Sequence, residues 1–283
     1  MSLLDRDVRN RMLCRTRVKI CGITRPEDAE QAVCLGADAV GVIFARSPRN
    51  VTIQRAREVL DTAPGYVNRV GVFADQDASF IWDAVLGCRL DWVQLSGNEP
   101  PQLPDGLPAR VMKTVHVSSA GDLEALASYP GDAFLLDAPP LPSGRMGGTG
   151  KTFDWELART LPWPRERVVV AGGLDAENVG EVIRMLRPGG VDVCSGVERR
   201  PGIKDPDRLR AFFTAVQRAD REVTEGAREE HVRQQRQEAG HGVESGGGRE
   251  PGSGPDREAG PGPGDGREPG AGPRHEMEEE ELR

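Results

Sequence analysis

Residues 168–196, VVVAGGLDAENVGEVIRMLRPGGVDVCSG, decide which fold the chain adopts. The runs 168–171 and 191–194 are almost continuously apolar, as in parallel strands that are covered on both faces. Between them, residues 177–186 repeat apolar side chains at helical spacing, and glycines stand at both junctions. This stretch therefore predicts a strand, a helix and a second strand parallel to the first.

The same alternation of strands and helices extends through the preceding sequence. Apolar runs predict six further strands, at residues 18–21, 39–44, 69–73, 92–95, 110–114 and 133–137. A first helix is predicted after Thr24, which forms a capping-box pair with Glu27, and it ends before Gly36. Other helices are predicted at residues 53–61, 79–86, 123–128, 154–161 and 207–218. Four prolines within residues 99–108 indicate that the helix after the fourth strand is short or absent.

Eight strands with intervening helices in about 200 residues predict an α/β fold, a single (β/α)₈ TIM barrel. The alternative is an open doubly wound sheet, but its GxGxxG fingerprint after the first strand is missing. The predicted organisation is an N-terminal extension over residues 1–17, a catalytic barrel over residues 18–218 and a disordered tail over residues 219–283.

The tail carries most of the charge of the chain. The formal net charge is −8, and the 63 residues from Arg221 onward hold 16 acidic side chains, nine arginines and no aromatic residue. Such a segment buries too little apolar surface to offset the entropy of ordering it, so disorder is predicted. The remaining residues are nearly neutral, which argues against a nucleic-acid partner.

Composition excludes several further classes of protein. No apolar run approaches the roughly 18 residues of a membrane span, and the first 17 residues lack a signal-peptide core, so no membrane partner is expected. The five cysteines are scattered without CxxC spacing, which indicates a cytoplasmic location. Three of the four histidines lie in the tail, which leaves His116 and too few ligands for a histidine-based metal site.

A barrel has its active site at the carboxyl ends of its strands, where four polar side chains are candidates. Asp137 can be a general acid with a raised pKa or a loop cap, and Cys21 a thiolate base or a small buried hydrophobe. Asp192 interrupts an apolar strand and needs a local donor or a ligand. Arg49 can pair with a substrate carboxylate or lie exposed in a loop.

Two glycine-containing turns follow the seventh and eighth strands, at Gly172-Gly173 and Ser195-Gly196. Glycine lets backbone N–H groups approach an anion closely, and barrels commonly bind phosphate with this pair of loops. The alternative is that both turns merely connect a strand to a helix. The pairing of the two turns favours a phosphate site.

Seven motifs together carry a resemblance to a known family. In order they are Lys19-Ile20-Cys21-Gly22-Ile23-Thr24, Ser47-Pro48-Arg49, Val93-Gln94-Leu95, Leu135-Leu136-Asp137, Gly147-Gly148-Thr149-Gly150-Lys151-Thr152-Phe153-Asp154-Trp155, Ala171-Gly172-Gly173-Leu174 with Glu177-Asn178-Val179, and Val191-Asp192-Val193 with Ser195-Gly196-Val197-Glu198. Over residues 18–216 the chain resembles the phosphoribosylanthranilate isomerases of tryptophan biosynthesis.

The resemblance implies a cofactor-independent Amadori rearrangement. N-(5'-phosphoribosyl)anthranilate would become 1-(o-carboxyphenylamino)-1-deoxyribulose 5-phosphate. Asp137 would be the general acid that protonates the furanose oxygen, and Cys21 the general base that removes the C2' proton. Arg49 would hold the anthranilate carboxylate, and Asp192 would hold the anthranilate amine.

The resemblance also implies where the phosphate binds and what the partner is. Backbone N–H groups of Gly173, Ser195 and Gly196 would hold the phosphate, in a turn that begins at Gly172. The expected partner is a small phosphoribosyl molecule, and the chain would be a monomer or a homodimer.

Two positions depart from the family pattern, and two other functions compete. Ser96 stands where the family usually has histidine, and Cys194 where serine is common.

A related histidine-pathway isomerase looks to need a carboxylate at the end of the first strand, where Cys21 stands. A non-catalytic phosphosugar-binding barrel would fit Ser96 and the long tail, but the chain retains both Cys21 and Asp137.

Overall fold

The computed structural model describes residues 15–101, 106–125, 127–139 and 152–241. Eight parallel strands form a closed barrel in chain order, with the last strand paired to the first. The strands are β1 Arg17–Ile20, β2 Ala39–Ile43, β3 Asn68–Phe73, β4 Trp92–Leu95, β5 Arg110–His116, β6 Ala133–Asp137, β7 Val168–Val170 and β8 Gly190–Val193. The predicted barrel is therefore confirmed, and the open doubly wound sheet is excluded.

Helices follow most of the strands. They are α1 Pro26–Cys34, α2 Ile53–Leu60, α3 Ala78–Cys88, α4 Ala120–Ala125, α5 Val179–Leu186 and α6 Pro206–His241. The predicted helix at residues 154–161 is only a 3-10 turn, Trp155–Ala158. In the β4–β5 connection, the described residues 96–101 and 106–109 contain no helix, as the prolines predict.

The start of α1 differs from the prediction. The helix begins at Pro26, after an N-cap residue, Arg25, whose side chain makes no capping hydrogen bond. Thr24 instead donates from Oγ1 to the carbonyl oxygen of Gly202 at 2.5 Å. The predicted capping box is wrong because the helix begins one residue later than predicted, so that Arg25 and not Thr24 is the N-cap residue.

The strands divide the apolar core into two layers, which β6 illustrates. Phe134 and Leu136 belong to the large cluster between the sheet and the helices. Alternate residues on the other face belong to a smaller cluster, which consists of Ala133, Leu135, Met112 and Ala171. Asp137 continues this second face, so its carboxyl group stands above an apolar layer at the mouth of the barrel.

The last helix corrects the predicted domain boundaries. Residues 219–241 continue α6, so the disorder predicted from residue 219 is wrong for them; residues 242–283 lie outside the described residues. Ala219 is fully buried, and Asp220 accepts hydrogen bonds from the backbone N–H and the hydroxyl group of Thr16. Amino-acid composition does not reveal such tertiary contacts. Because Arg17 already belongs to β1, the barrel also begins before residue 18.

Of the described residues, those from 15 to 236 belong to one compact unit, which contains the barrel, and residues 237–241, the end of α6, belong to a second. Among the helices in the described ranges, none combines the length and apolar character that crossing a membrane requires.

Replacing Asp220 should destabilise the barrel. Asp220→Ala removes the acceptor for both donors of Thr16, and we expect the free energy of unfolding to fall by about 1–3 kcal/mol. Urea unfolding followed by circular dichroism measures the change. Glu229→Ala, at an exposed position of the same helix, is the control and should change stability little. Equal stability of both variants would show that Thr16 needs no partner.

Candidate active site

A cavity of about 750 Å³ opens at the carboxyl ends of the strands. Seven of the eight predicted site residues line it: Cys21, Arg49, Asp137, Gly172, Gly173, Asp192 and Ser195. The eighth, Gly196, does not line the cavity but packs against the carbonyl group of Leu174, which does. The strands thus bring together side chains that lie up to 174 residues apart in the sequence.

Asp137 is suited to hold a proton near neutral pH. Burial raises the pKa of its carboxyl group to about 6, although His116 and a hydrogen bond from the backbone N–H of Ala138 act in the opposite direction. Gly172, with φ of +81°, passes so close that a Cβ there would lie 2.9 Å from Oδ1 of Asp137. The glycine turn after β7 therefore leaves the space that this carboxyl group occupies.

Asp192 has a local donor, which answers the question that the sequence left open. The register of the parallel strands places Lys19 opposite Asp192, and Nζ of Lys19 donates to Oδ1 at 2.9 Å. Burial opposes the charge on Lys19, but the Asp192 carboxylate more than offsets it and raises the pKa of Lys19. Lys19 contacts only Oδ1 of this carboxylate, and Asp192 lines the cavity.

Cys21 and Cys194 lie next to each other, two residues beyond the paired Lys19 and Asp192, and both line the cavity. The interaction with Cys194 and burial raise the pKa of Cys21 well above its usual value. The interaction with Cys21 lowers the pKa of Cys194 to about 7, against the effect of burial and with help from the charges of Lys204 and Arg49. The pair therefore loses its first proton from Cys194, near neutral pH.

Arg49 lies in a buried charge cluster with Glu198 and Lys204. Its Nε and Nη2 atoms donate to the two carboxylate oxygens of Glu198 at 2.8 and 2.7 Å. Nζ of Lys204 donates to Oε1 of Glu198 at 3.1 Å and to the carbonyl oxygens of Cys21 and Cys194. Glu198 thus takes two of the three guanidinium nitrogens, and Nη1 has no hydrogen-bond partner among the described residues.

The two predicted phosphate turns lie side by side. Gly173 has φ of +62°, and its carbonyl oxygen accepts a hydrogen bond from Nδ2 of Asn178 at 2.9 Å. A Cβ on Gly196 would lie 2.0 Å from the carbonyl oxygen of Leu174, so only glycine allows the turns to approach this closely. No described residue accepts a hydrogen bond from the backbone N–H groups of Gly173 or Ser195, which leaves these donors available to an anion.

Other polar residues of the cavity and its surroundings were not predicted as site residues. Gln94 is buried at the cavity wall, and its Oε1 atom has no partner among the described residues. The ring nitrogens of His116 lie 3.3 Å from the carbonyl oxygens of Ser96 and Ala138. Glu198 and Gln94 stand inside recognisable motifs, but Lys204 stands in none, so no sequence signal pointed to it.

The described residues contain no group of three or more His, Cys, Asp or Glu side chains that could hold a metal ion. The cavity instead combines a buried acid, a thiol pair with one labile proton and free backbone donors. These groups can exchange protons with a bound anionic molecule. The fold and the site together define a (β/α)₈ enzyme that works by acid–base chemistry on a small molecule.

Comparisons with known proteins identify the family. The sequence model of the N-(5'phosphoribosyl)anthranilate (PRA) isomerase family matches residues 18–215. The N-(5'-phosphoribosyl)anthranilate isomerase of Halorhodospira halophila is 46% identical over 209 residues, which cover 73% of this chain and 99% of the relative. The chain belongs to the phosphoribosylanthranilate isomerase family.

Solved structures agree with this assignment. One is a phosphoribosyl anthranilate isomerase in complex with reduced 1-(o-carboxyphenylamino)-1-deoxyribulose 5-phosphate, and it matches with a TM-score of 0.63 and 38% identity. Another contains monomers generated from the dimeric enzyme of Thermotoga maritima, with the same TM-score and identity. Each match covers 71% of this chain and 98% of the other. The chain is thus an isomerase of tryptophan biosynthesis that catalyses an Amadori rearrangement, and the family needs no cofactor.

Gly172→Ala should impair catalysis by displacing Asp137. The new Cβ would lie 2.7 Å from the backbone nitrogen of Ala138 and 2.9 Å from Oδ1 of Asp137, so we expect kcat to fall at least ~10²-fold. Steady-state kinetics measure the effect. The control is Gly36→Ala, which also has a positive φ but no atom within 4 Å of the added Cβ. It should lose stability without losing kcat, and an equal loss of kcat in both variants would contradict the argument.

Proposed function

We propose that Asp137 and Cys21 are the general acid and the general base of the Amadori rearrangement in this chain. The observation that carries the proposal is the burial of Asp137, which holds its pKa near 6. A carboxyl group with an ordinary pKa would have lost its proton at neutral pH and could not protonate an ether oxygen. Asp137 keeps a useful fraction of that proton.

The acid opens the sugar ring. The proton of Asp137 passes to the furanose oxygen, the bond between this oxygen and C1' breaks, and the nitrogen lone pair forms a C1'–N double bond. The resulting iminium group withdraws electrons from C2' and makes its proton acidic. The opened intermediate therefore needs a base close to C2'.

Cys21 supplies this base. Because the thiol pair loses its first proton near neutral pH, a proton shift from Cys21 to Cys194 converts Cys21 into the thiolate. The thiolate takes the C2' proton, and the C–H electrons form an enolamine that tautomerises to the 2'-ketone. Lys19, whose charge acts on Cys21 from the same strand, stabilises the thiolate.

The remaining contacts hold the substrate. We infer that Nη1 of Arg49 binds the anthranilate carboxylate, while Glu198 fixes the orientation of the guanidinium group through its two hydrogen bonds. Asp192 accepts a hydrogen bond from the anthranilate amine through the carboxylate oxygen that Lys19 leaves unused. Backbone N–H groups of the turns at Gly172-Gly173 and Ser195-Gly196 bind the phosphate.

The partner of the site is a small phosphoribosyl molecule, as in the relative with a bound product analogue. We propose that the protein acts in the cytoplasm, without nucleic-acid or membrane partners, as a monomer or a homodimer. The relative from Thermotoga maritima is dimeric, and sedimentation velocity distinguishes the two states for this chain.

A chain that lacks either proposed proton-transfer group should no longer support the growth of a tryptophan auxotroph. The wild-type chain should complement a tryptophan auxotroph that lacks this isomerase, whereas Asp137→Asn and Cys21→Ala should each lower kcat at least ~10²-fold. Both variants should largely retain KM, because the groups that bind the substrate are unchanged. Fluorescence assays of the purified variants measure both constants.

Matched controls separate catalysis from folding. Asp132→Asn changes a carboxylate at the opposite end of β6, and Cys34→Ala changes an exposed cysteine on α1. Both controls should support growth. Near-normal turnover of Asp137→Asn or Cys21→Ala would refute the role of that residue, and failure of soluble, folded wild-type protein would refute the activity.

The activity should fall on the alkaline side because Asp137 acts in its protonated form. The free enzyme holds this proton below a pKa of about 6 and loses it as the pH rises through that value. The ratio kcat/KM, which reports the free enzyme, should therefore decline above pH 6. The residual activity of Asp137→Asn should lack this decline. A decline that persists in the variant would assign it to another group.

A further inference from the structure

The pairing of β1 with β8 places two cysteine side chains at the same height in the barrel. The register pairs Lys19 with Asp192, and both side chains point into the barrel. Cys21 and Cys194 directly follow the last residues of these strands, two residues beyond Lys19 and Asp192, and therefore face the same side. The backbone N–H of Cys21 donates to the carbonyl oxygen of Val193 at 2.9 Å, so the in-register pairing continues to this level.

The spacing of the two residues suits a disulfide bond. Neighbouring strands lie about 4.8 Å apart, whereas disulfides join Cα atoms roughly 4.4–6.8 Å apart. The register makes the two cysteines neighbours across the pairing of β1 with β8, and both thiols are free. Gly22, with φ of +68°, adds space at this point, because a Cβ there would lie 2.8 Å from Sγ of Cys194. The pair can therefore be joined without moving either strand far.

The pair is also open to the cavity, and two cations, Lys204 and Arg49, lie beside it together with the carboxylate of Glu198. Both cysteines line the cavity, although Cys21 is only 5% exposed. Nζ of Lys204 donates to the backbone carbonyl oxygens of both residues, and the side chain of Arg49 lies against Gly22 beside the pair. Positive charge at this distance stabilises a thiolate, which is the form that reacts with oxidants. A thiolate next to a second thiol is the arrangement of redox-sensitive cysteines.

We propose that Cys21 and Cys194 form a reversible disulfide when the enzyme meets a peroxide, and that this bond switches the isomerase off. The loss of activity rests on the proposed role of Cys21 as the general base, whereas formation of the bond does not. A disulfide leaves no thiolate to remove the C2' proton. The bond also consumes the thiol of Cys194, which accepts the proton of Cys21 in the proposed mechanism.

The chemistry proceeds in two displacements. The thiolate of Cys194 attacks one oxygen of hydrogen peroxide, the O–O bond breaks, and the released hydroxide takes up a proton to leave as water. The sulfenic acid on Cys194 is then attacked by the sulfur of Cys21, which forms the S–S bond and releases a second water. The two thiols lose two electrons and two protons in total, and the peroxide is reduced to two molecules of water. A dithiol reverses the reaction by thiol–disulfide exchange.

The bond is tested by mass, independently of activity. In the full-length variant C14S/C34S/C88S only Cys21 and Cys194 remain. Treatment of this variant with a small excess of hydrogen peroxide should lower the number of titratable thiols from two to none and the mass of the protein by two hydrogen atoms. Digestion without reductant should yield one cross-linked peptide that contains both cysteines. Separate peptides that carry added oxygen, with no cross-link, would overturn the disulfide.

Activity then tests the switch. Turnover of the oxidised protein should fall at least ~10²-fold, as for a lost base, and dithiothreitol should restore it. Saturation with the reduced product analogue before treatment should slow the loss, because the ligand fills the cavity above the thiols. A cross-link that leaves turnover unchanged would overturn the switch and also the assignment of Cys21 as base, whereas a missing cross-link overturns the disulfide alone.

A variant without the second thiol supplies the matched comparison. In Cys194→Ser, oxidation of Cys21 has no neighbouring thiol to trap it, so prolonged peroxide should carry it to sulfinic acid. The treated variant, compared with its own untreated activity, should then not recover in dithiothreitol, whereas the wild type should. Equal recovery of the two proteins would contradict the proposed pairing.

Discussion

Hydrogen bonding between β1 and β8 is the constraint on which the rest of the molecule depends. It closes the sheet, and the same register sets Lys19 against Asp192 and Cys21 beside Cys194. A slip of either strand by one residue would turn its two side chains away from the barrel axis. The closing seam of the barrel is therefore also the floor of the site, and the fold and the chemistry share one set of backbone contacts.

Burial and neighbouring charges shift the pKa values of ordinary side chains toward those that the proposed acid and base require. Asp137 stands above an apolar layer, which keeps part of its population protonated, while Lys19 and the charges beside Cys194 favour loss of a proton from the thiol pair. The barrel contains a single histidine, His116. The apolar surroundings of Asp137 and the charges beside the thiol pair therefore supply the pKa values that an imidazole group provides in many acid–base enzymes. The Glu198 cluster serves a different purpose, since it orients Arg49 without taking its last guanidinium nitrogen.

The sequence predicted the barrel well because buried parallel strands leave apolar runs, and the structure shifts those runs by only one or two residues at most ends. Seven of the eight predicted site residues meet at the cavity because their strands end there. Lys204 could not be predicted, since its partners lie on three other segments. The helical residues 219–241 were missed because tertiary contacts such as Asp220 with Thr16 are invisible to composition.

The seam between β1 and β8 has a consequence for the synthesis of the chain. The ribosome synthesises β1 first and β8 last of the eight strands. Lys19 therefore has no partner until Asp192, which lies 173 residues downstream, has been synthesised. Until then the free edge of β1 exposes unpaired backbone groups and a buried-type lysine without its counterion. The nascent barrel is thus an open sheet that is exposed to aggregation, and contacts of such long range close slowly. No piece of the chain that ends before β8 can hold the complete site.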